Sequence, residues 1–255
     1  MCQFVNLPDG LYDTIQVFAG IHAGSREKTS YEYLYRKGWW QMMSRSFLFL
    51  PIILLYMTVM AWASDLQIVD KPIQWSAYRE QLIREYAQTH YGKDMVQIEP
   101  QAVVVHWTAA GTWESTYRYF YHEAKEDGTL NVASHFLVDR DGTVYRLTPE
   151  TVLNRHAIGY NWCAIGIENV GGVDGKEDLT KAQLEANVKL ICYLQEKYPA
   201  IRYVFGHYQQ DAARSSGLYI EKVAGYHSKK TDPGPIFMSA LQKRLQGRNL
   251  VFYKE

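Results

Sequence analysis

Hydrophobic and polar positions along residues 64–255 change their period from one segment to the next, which separates strands from helices. Short apolar runs rich in β-branched residues are typical of strands, and an uninterrupted run indicates a strand that is buried on both faces. An Asp-Gly step inside residues 139–142 also predicts a hairpin between the second and third strands. The predicted strands are residues 101–107, 136–138, 143–147, 164–170 and 203–206.

Apolar residues spaced three and four positions apart predict amphipathic helices between these strands. Thr180 followed by Gln183 is a capping-box pattern, so we expect one helix to begin there and to run through Leu194. Because helices alternate with strands and no repeat or long linker interrupts them, the sequence predicts one α/β domain with a central mixed β-sheet flanked by helices. The predicted helices are residues 75–91, 115–124, 180–194 and 236–245.

A targeting pattern lies upstream of this domain. Arg36, Lys37 and Arg45 precede the apolar run 47–61, which leads into an A-x-A motif at residues 61–63. A basic flank, a short apolar core and such a motif are typical of a secretory signal peptide. We expect cleavage after this motif, and an uncleaved membrane anchor is the alternative, although the run is shorter than the roughly 20 residues that a spanning helix needs.

The pattern divides the chain into three parts. Residues 1–41 form a doubtful leader, because signal peptides seldom begin so far upstream and Met42 or Met43 would be a natural start. Residues 42–63 are the predicted signal peptide, and residues 64–255 the predicted domain. We therefore expect an exported protein, periplasmic or secreted, that contacts a membrane only through the signal segment if it stays uncleaved.

Charge and cysteine content narrow the class of protein further. Lys and Arg number 27 and Asp and Glu also number 27, a balance that gives no sign of a nucleic-acid partner. After removal of the leader with Cys2, only Cys163 and Cys192 remain. Export permits a disulfide between them without requiring one, and we favour two free thiols because Cys192 falls on a predicted core position of a helix.

Two histidines and one aspartate stand where a metal site could form. His106 follows the apolar run 103–105, His207 ends the strand 203–206, and Asp232 lies in a Pro-Gly turn. Imidazole and carboxylate groups suit zinc, and three protein ligands leave the open position that distinguishes catalytic zinc from structural zinc. His227, five residues before Asp232, is the alternative ligand; we favour His207 because it ends a strand.

Glu168 is a second candidate for chemistry, since it interrupts the apolar run 164–170 and a carboxylate is costly to bury there without a function. The alternative is a carboxylate on the solvated face of an edge strand. For four other histidines we expect structural roles, as hydrogen-bonded or packed side chains. These are His22, His90, His122 and His135.

Six motifs occur in an order that resembles the zinc-dependent N-acetylmuramoyl-L-alanine amidases, a family that shares its fold with phage lysozyme-type amidases and peptidoglycan recognition proteins. Each motif alone is weak, whereas six in order are specific. They span about 140 residues, most of the predicted domain. The motifs are VVVHWTA (103–109), SHFLVDRDGTVYRL (134–147), RHAIGYN (155–161), AIGIENVG (164–171), FGH (205–207) and KTDPGP (230–235).

The resemblance implies one zinc ion held by the His106, His207 and Asp232 set. It also implies that Glu168 is the general base and that Lys230, otherwise an ordinary surface lysine, stabilises the oxyanion. His156 matches a family histidine near the reaction centre, for which the resemblance implies a role in substrate binding or in the transition state. Ser134 stands where some relatives carry a tyrosine, so no tyrosine role is carried over.

The implied reaction is hydrolysis of the amide bond between N-acetylmuramic acid and L-alanine in peptidoglycan or muropeptides. One departure concerns the segment between His207 and Asp232, which is longer than in compact relatives and keeps His227 open as a ligand. Two other functions stay open from the sequence. One is a peptidoglycan-binding module without catalysis, and the other is a zinc hydrolase of a different peptide or amide.

Overall fold

The computed structural model describes residues 66–254, which form one mixed sheet of seven strands with helices packed against it. The strands lie across the sheet in the order β1-β4-β3-β5-β2-β6-β7. β3 and β4 pair antiparallel, and every other neighbouring pair is parallel. Their bounds are β1 Ile68–Asp70, β2 Ala102–Trp107, β3 Phe136–Val138, β4 Val144–Arg146, β5 Ala164–Asn169, β6 Tyr203–Gly206 and β7 Val251–Phe252.

The helices begin at local capping signals. The Ser76 and Thr112 side chains accept hydrogen bonds from the first turns of α1 and α2, and Thr180 and Gln183 form a complete capping box ahead of α3. α4 begins at a proline, which needs no hydrogen-bond partner in that position. The bounds are α1 Ala77–Tyr91, α2 Trp113–Tyr121, α3 Lys181–Lys197 and α4 Pro235–Arg244.

Alternation along the central strands sorts side chains between the two faces of the sheet. Val103 and Val105 of β2 and Ile165 of β5 pack in one cluster with apolar residues of α3 and α4. Val104 and Ala164 belong to a cluster on the opposite face. By the same alternation, His106 on β2 and Glu168 on β5 face away from α3 and α4.

A buried pair of amide side chains fastens α3 to the end of β2. The Asn187 side chain donates to Oδ1 of Asn169 at 2.6 Å, and the Asn169 side chain donates to the carbonyl of His106 at 3.0 Å. Both asparagines are fully buried. Buried polar groups are costly when unpaired. These bonds therefore hold the end of β2 in a fixed position against β5 and α3.

The structure confirms the predicted α/β class, the mixed sheet and the capping box. The hairpin between β3 and β4 is confirmed as well, with Gly142 at a φ of 91° in its turn. The prediction of a helix at 115–124 was wrong at both ends, because Thr112 starts α2 earlier and the chain turns extended at His122. β1 and β7 were not predicted, since these short strands pair parallel to β4 and β6 and no hairpin turn marks them, as the Asp-Gly step marks β3 and β4.

Cys163 and Cys192 are both free thiols, as expected. No helix among residues 66–254 combines the length and the apolar character needed to cross a bilayer. The predicted leader 1–41 and signal peptide 42–63 lie outside the described residues.

Candidate metal centre

The register of three parallel strands brings the candidate side chains to one edge of the sheet. β2 and β5 pair so that His106 lies opposite Glu168. β2 and β6 pair so that Val105 lies opposite Gly206, which places His207 one residue beyond, beside His106. Side chains at the same level of adjacent parallel strands point to the same face, so the three groups converge. They lie at the carboxyl ends of the strands, where open α/β sheets bind ligands.

His106, His207 and Asp232 form a tight triangle of ligand atoms. Nδ1 of His106 lies 3.0 Å from Nδ1 of His207 and 3.1 Å from Oδ2 of Asp232, and the third side of the triangle is 3.2 Å. All three residues are buried. A tetrahedral zinc ion with bonds of about 2.0–2.1 Å separates its ligand atoms by roughly 3.3 Å, so the triangle fits such an ion.

The donor set also has the protonation state that a metal needs. Burial lowers the pKa of His207 to about 4, so this imidazole is neutral at pH 7. Burial acts against ionisation of Asp232, but its contacts with His106 and His207 outweigh it and hold the pKa of this carboxyl well below its ordinary value. A neutral imidazole and an ionised carboxylate are ready to bind a cation without losing a proton.

His156 contacts His106 on the side of the ring that points away from the triangle. Its Nε2 lies 3.1 Å from the carbonyl of Ala164, and its Nδ1 lies 3.1 Å from Nε2 of His106. A carbonyl only accepts, so Nε2 of His156 carries the proton and Nδ1 is left as an acceptor. His106 then donates through Nε2 and keeps the lone pair on Nδ1, the atom inside the triangle. A backbone carbonyl thus selects the tautomer of a candidate ligand through one intervening ring.

Gly166 makes room for the His156 ring. A β-carbon at this position of β5 would lie 2.8–2.9 Å from three atoms of the ring, closer than real contacts allow. His135 binds the same stretch of strand by accepting from the Gly166 amide at 3.0 Å and contacting the Val152 carbonyl at 2.8 Å. His135 is fully buried and lies outside the triangle, as its predicted structural role requires.

The turn that carries Asp232 is held on both sides. Its carbonyl accepts from the Tyr208 amide at 2.9 Å, just past the end of β6. Gly234 has a φ of 89°, and a β-carbon there would lie 2.4 Å from the Glu177 carboxyl carbon. Glu177 in turn accepts from the Phe237 amide at 2.6 Å, which caps the start of α4. The Pro-Gly turn read from the sequence therefore fixes Asp232 between β6 and α4.

Glu168 stands beside the triangle on β5, a central strand, so its alternative placement on a solvated edge strand was wrong. Its Oε2 is buried and has no hydrogen-bond partner among residues 66–254. Burial raises the pKa of Glu168 to about 7, and the neighbouring His106 lowers it by a smaller amount. A carboxyl group that titrates near neutral pH can both take and return a proton.

A cavity of about 620 Å³ opens over these groups. Its lining includes the triangle, Glu168 and His156. Lys230, an exposed residue near the end of the long segment between His207 and Asp232, lines it as well. Lys230 has no carboxylate within salt-bridge distance among residues 66–254. A lysine without a carboxylate partner therefore lines the cavity that contains the triangle.

Sequence reasoning located the triangle but left its second histidine open. The structure brings His207 to Asp232 across 25 positions of the chain and leaves His227 exposed and outside the group. It also brings His156 against His106, a contact that no spacing in the sequence indicated. Arg155 and Tyr226 line the cavity and were missed, although Arg155 stands next to His156 in the motif RHAIGYN.

A family model described as N-acetylmuramoyl-L-alanine amidase matches residues 96–235, more than half of the chain. The chain is 36% identical over 112 residues to the endolysin of Enterobacteria phage T3, covering 40% of this chain and 74% of that protein. It is 41% identical over 78 residues to the endolysin of Escherichia phage T7, covering 29% of this chain and 52% of that protein.

Solved structures give weaker likenesses. The N-acetylmuramoyl-L-alanine amidase LysC from Clostridium intestinale URNW is 22% identical, with a TM-score of 0.49 and coverage of 71% of this chain and 99% of that one. Bumblebee PGRP-SA is 20% identical, with a TM-score of 0.47 and coverage of 73% and 98%. The assignment to a family therefore depends on the sequence matches.

The raised pKa of Glu168 makes the stability of the metal-free protein depend on pH. An acid whose pKa is higher in the folded than in the unfolded state stabilises the fold at pH values below the unfolded pKa. This stabilisation is lost as the pH rises through the folded pKa. Relative to Glu168→Gln, the free energy of unfolding of the metal-free protein should fall by about 2 kcal/mol between pH 5 and pH 8. Urea unfolding of both proteins in a chelating buffer measures this, and a pH-independent difference would contradict it.

Proposed function

The chain belongs to the N-acetylmuramoyl-L-alanine amidase family, and we propose that it hydrolyses the amide bond between N-acetylmuramic acid and L-alanine by means of a zinc ion. Family membership supports a hydrolase of cell-wall peptidoglycan. The observation that supports a zinc-dependent reaction at this bond is the buried triangle of His106, His207 and Asp232 at the floor of a cavity that Glu168 also lines. This arrangement combines a metal site with a proton acceptor at the same place.

His106, His207 and Asp232 would hold the ion. When bound, zinc supplies a Lewis acid for the amide carbonyl and lowers the pKa of water toward neutrality. Two imidazoles and one carboxylate are a ligand set known from catalytic zinc sites, and they leave a position for the substrate. The cavity above the triangle gives that position access to a ligand of substantial size.

Glu168 would take the proton from the attacking water and then deliver it to the amine that leaves. Its unpaired Oε2 lies on the side of the cavity next to His106, across one strand spacing. The raised pKa suits both transfers, since a general base and acid is most effective when its pKa lies near the working pH.

Lys230 would stabilise the negative charge that develops on the carbonyl oxygen during attack. Two features support this role. Lys230 lines the cavity, and no carboxylate among the described residues lies within salt-bridge distance of it. Asp232, two residues later, is anchored by the turn before α4, so the cation stands close to the metal ligand in the chain.

His156 would act through His106 rather than on the substrate. Its contact at 3.1 Å with Nε2 of His106 supports a positioning role, which is narrower than the substrate-binding or transition-state role that the resemblance implied. The Ala164 carbonyl that His156 contacts belongs to a fully buried residue of β5, so the strand holds it in place.

Export remains part of the proposal. Its support is the pattern of a basic flank, an apolar run and an A-x-A motif in residues 36–63, together with the location of peptidoglycan outside the cytoplasmic membrane. Intact murein and soluble muropeptides both contain the bond in question.

The direct test is a digest of soluble muropeptides and of intact murein with the zinc-loaded protein. We expect a new amino terminus on L-alanine and a muramic acid free of peptide, and loss of both on chelation.

Glu168→Gln should retain one zinc per chain while turnover falls about 10²–10⁴-fold, because only the proton acceptor is removed. Cleavage inside the peptide stem would support a different amide hydrolase, and binding without cleavage would support a recognition module.

His156→Asn and His156→Ala form a matched pair for the positioning role. The asparagine Oδ1 can replace Nδ1 of His156 as an acceptor for His106, whereas alanine offers none. We expect zinc affinity, measured by competition with a chromogenic chelator, to fall about 10–100-fold for the alanine variant and to be largely restored by asparagine. The visible spectrum of the cobalt-substituted protein should change only in the alanine variant. Equal affinities for both variants would contradict the role.

A further inference from the structure

A second cavity of about 520 Å³ lies beside the first one. Its walls come from α1, from the turn around Asp127, and from Tyr226 in the long segment between His207 and Asp232. Tyr86, Arg155 and Tyr226 line both cavities, so these side chains stand at the junction between them. The proposed mechanism makes no use of this second space.

The wall that the long segment contributes is firmly attached. Glu221 contacts Nδ1 of His90 through both carboxylate oxygens, at 2.9 and 3.0 Å, and its side chain is 3% exposed. The Lys222 amide donates to the His90 carbonyl at 2.9 Å. The Tyr226 ring packs on the His90 ring with a centroid distance of 4.5 Å. The long segment between His207 and Asp232 is therefore attached to α1, and the cavity that it helps to form is a fixed feature of the fold.

Arg155 is held at the junction by neutral groups. Its Nη1 donates to the Leu130 carbonyl at 2.7 Å, and its Nη2 donates to the Tyr226 hydroxyl at 2.9 Å. Its guanidinium carbon lies 5.5 Å from the centre of the Tyr86 ring. These contacts fix the plane of the guanidinium group without neutralising it. Within residues 66–254, no carboxylate lies within salt-bridge distance of Arg155.

The lysine that lines the second cavity already has a partner, because Lys125 pairs with Asp127 at 3.0 Å. Glu85 accepts only from the neutral Gln81 side chain, at 2.8 Å, and keeps its own charge. Arg155 is thus the uncompensated cation of this space, as Lys230 is of the first cavity. A fixed guanidinium fork is the side chain best suited to bind a carboxylate through two parallel hydrogen bonds.

We propose that Arg155 binds a free carboxylate of the peptide stem and that the second cavity receives the part of the stem beyond it. This inference rests on the proposed function, which places the scissile bond in the first cavity. Arg155 lines the first cavity together with the His106, His207 and Asp232 triangle, so a peptide bound there can reach both sites. Peptidoglycan stems carry free carboxylates on residues that follow L-alanine, which gives this cation an occupant of opposite charge.

The test compares one soluble muropeptide with versions in which each free stem carboxylate is converted in turn to a primary amide. Binding is measured by calorimetry with the Glu168→Gln protein, in which turnover is slow, and kcat/KM is measured with the wild type. We expect amidation of one particular carboxylate to weaken binding and to lower kcat/KM about tenfold or more, since a charge-assisted pair is lost. Equal binding of all versions would overturn the inference.

Arg155→Gln and Arg155→Lys assign the effect to this residue. The glutamine variant should bind the parent and the amidated muropeptide equally, and the lysine variant should keep part of the preference because it retains the charge without the fork. Arg84→Gln is the matched control, because Arg84 pairs with Asp94 at 2.7 Å and lines neither cavity. Thermal unfolding and zinc content verify that each variant is folded.

The outcomes separate this inference from the function on which it rests. A carboxylate preference in binding that vanishes in Arg155→Gln, together with an absence of hydrolysis by the wild type, would overturn the proposed function and leave the subsite standing. Hydrolysis of all versions at equal rates would leave the function standing and overturn the subsite. A preference that persists unchanged in Arg155→Gln would overturn the assignment to Arg155.

Discussion

The site depends on the register of three parallel strands. The pairing of β2 with β5 sets His106 opposite Glu168, and the pairing of β2 with β6 brings His207 alongside. A slip of one residue would turn every side chain of a strand to the other face, so the register must be strongly specified. The valines and isoleucines that alternate toward α3 and α4 specify it, because a slipped strand would remove them from this cluster. The apolar core therefore fixes the geometry of the polar site on the opposite face.

Burial then sets the chemical state of the groups that the register assembles. Burial keeps His207 neutral and raises the pKa of Glu168 to about 7, while contacts with the two histidines keep Asp232 ionised. Two cations, Lys230 and Arg155, face the adjoining cavities without carboxylate partners among the described residues. In our account the substrate supplies the missing negative charge. The developing oxyanion would pair with Lys230, and a carboxylate of the peptide stem would pair with Arg155.

Sequence patterns predicted those parts of this arrangement that depend on local rules. The capping box at Thr180, the hairpin turn and the central strands follow from neighbouring residues alone, and so did the proposal of His106 as a ligand. The two-residue β7 and the inner position of β5 could not be read, because both depend on which strands meet across the sheet. The contact between His156 and His106 joins residues 50 positions apart and needs the folded chain.

Anomalous diffraction from crystals of the zinc-loaded protein, recorded on both sides of the zinc absorption edge, tests the central claim most directly. Our account predicts one strong anomalous peak per chain, at about 2.0–2.2 Å from Nδ1 of His106, Nδ1 of His207 and Oδ2 of Asp232. A peak coordinated by His227, or a triangle that stays without anomalous density while zinc binds elsewhere, would contradict it.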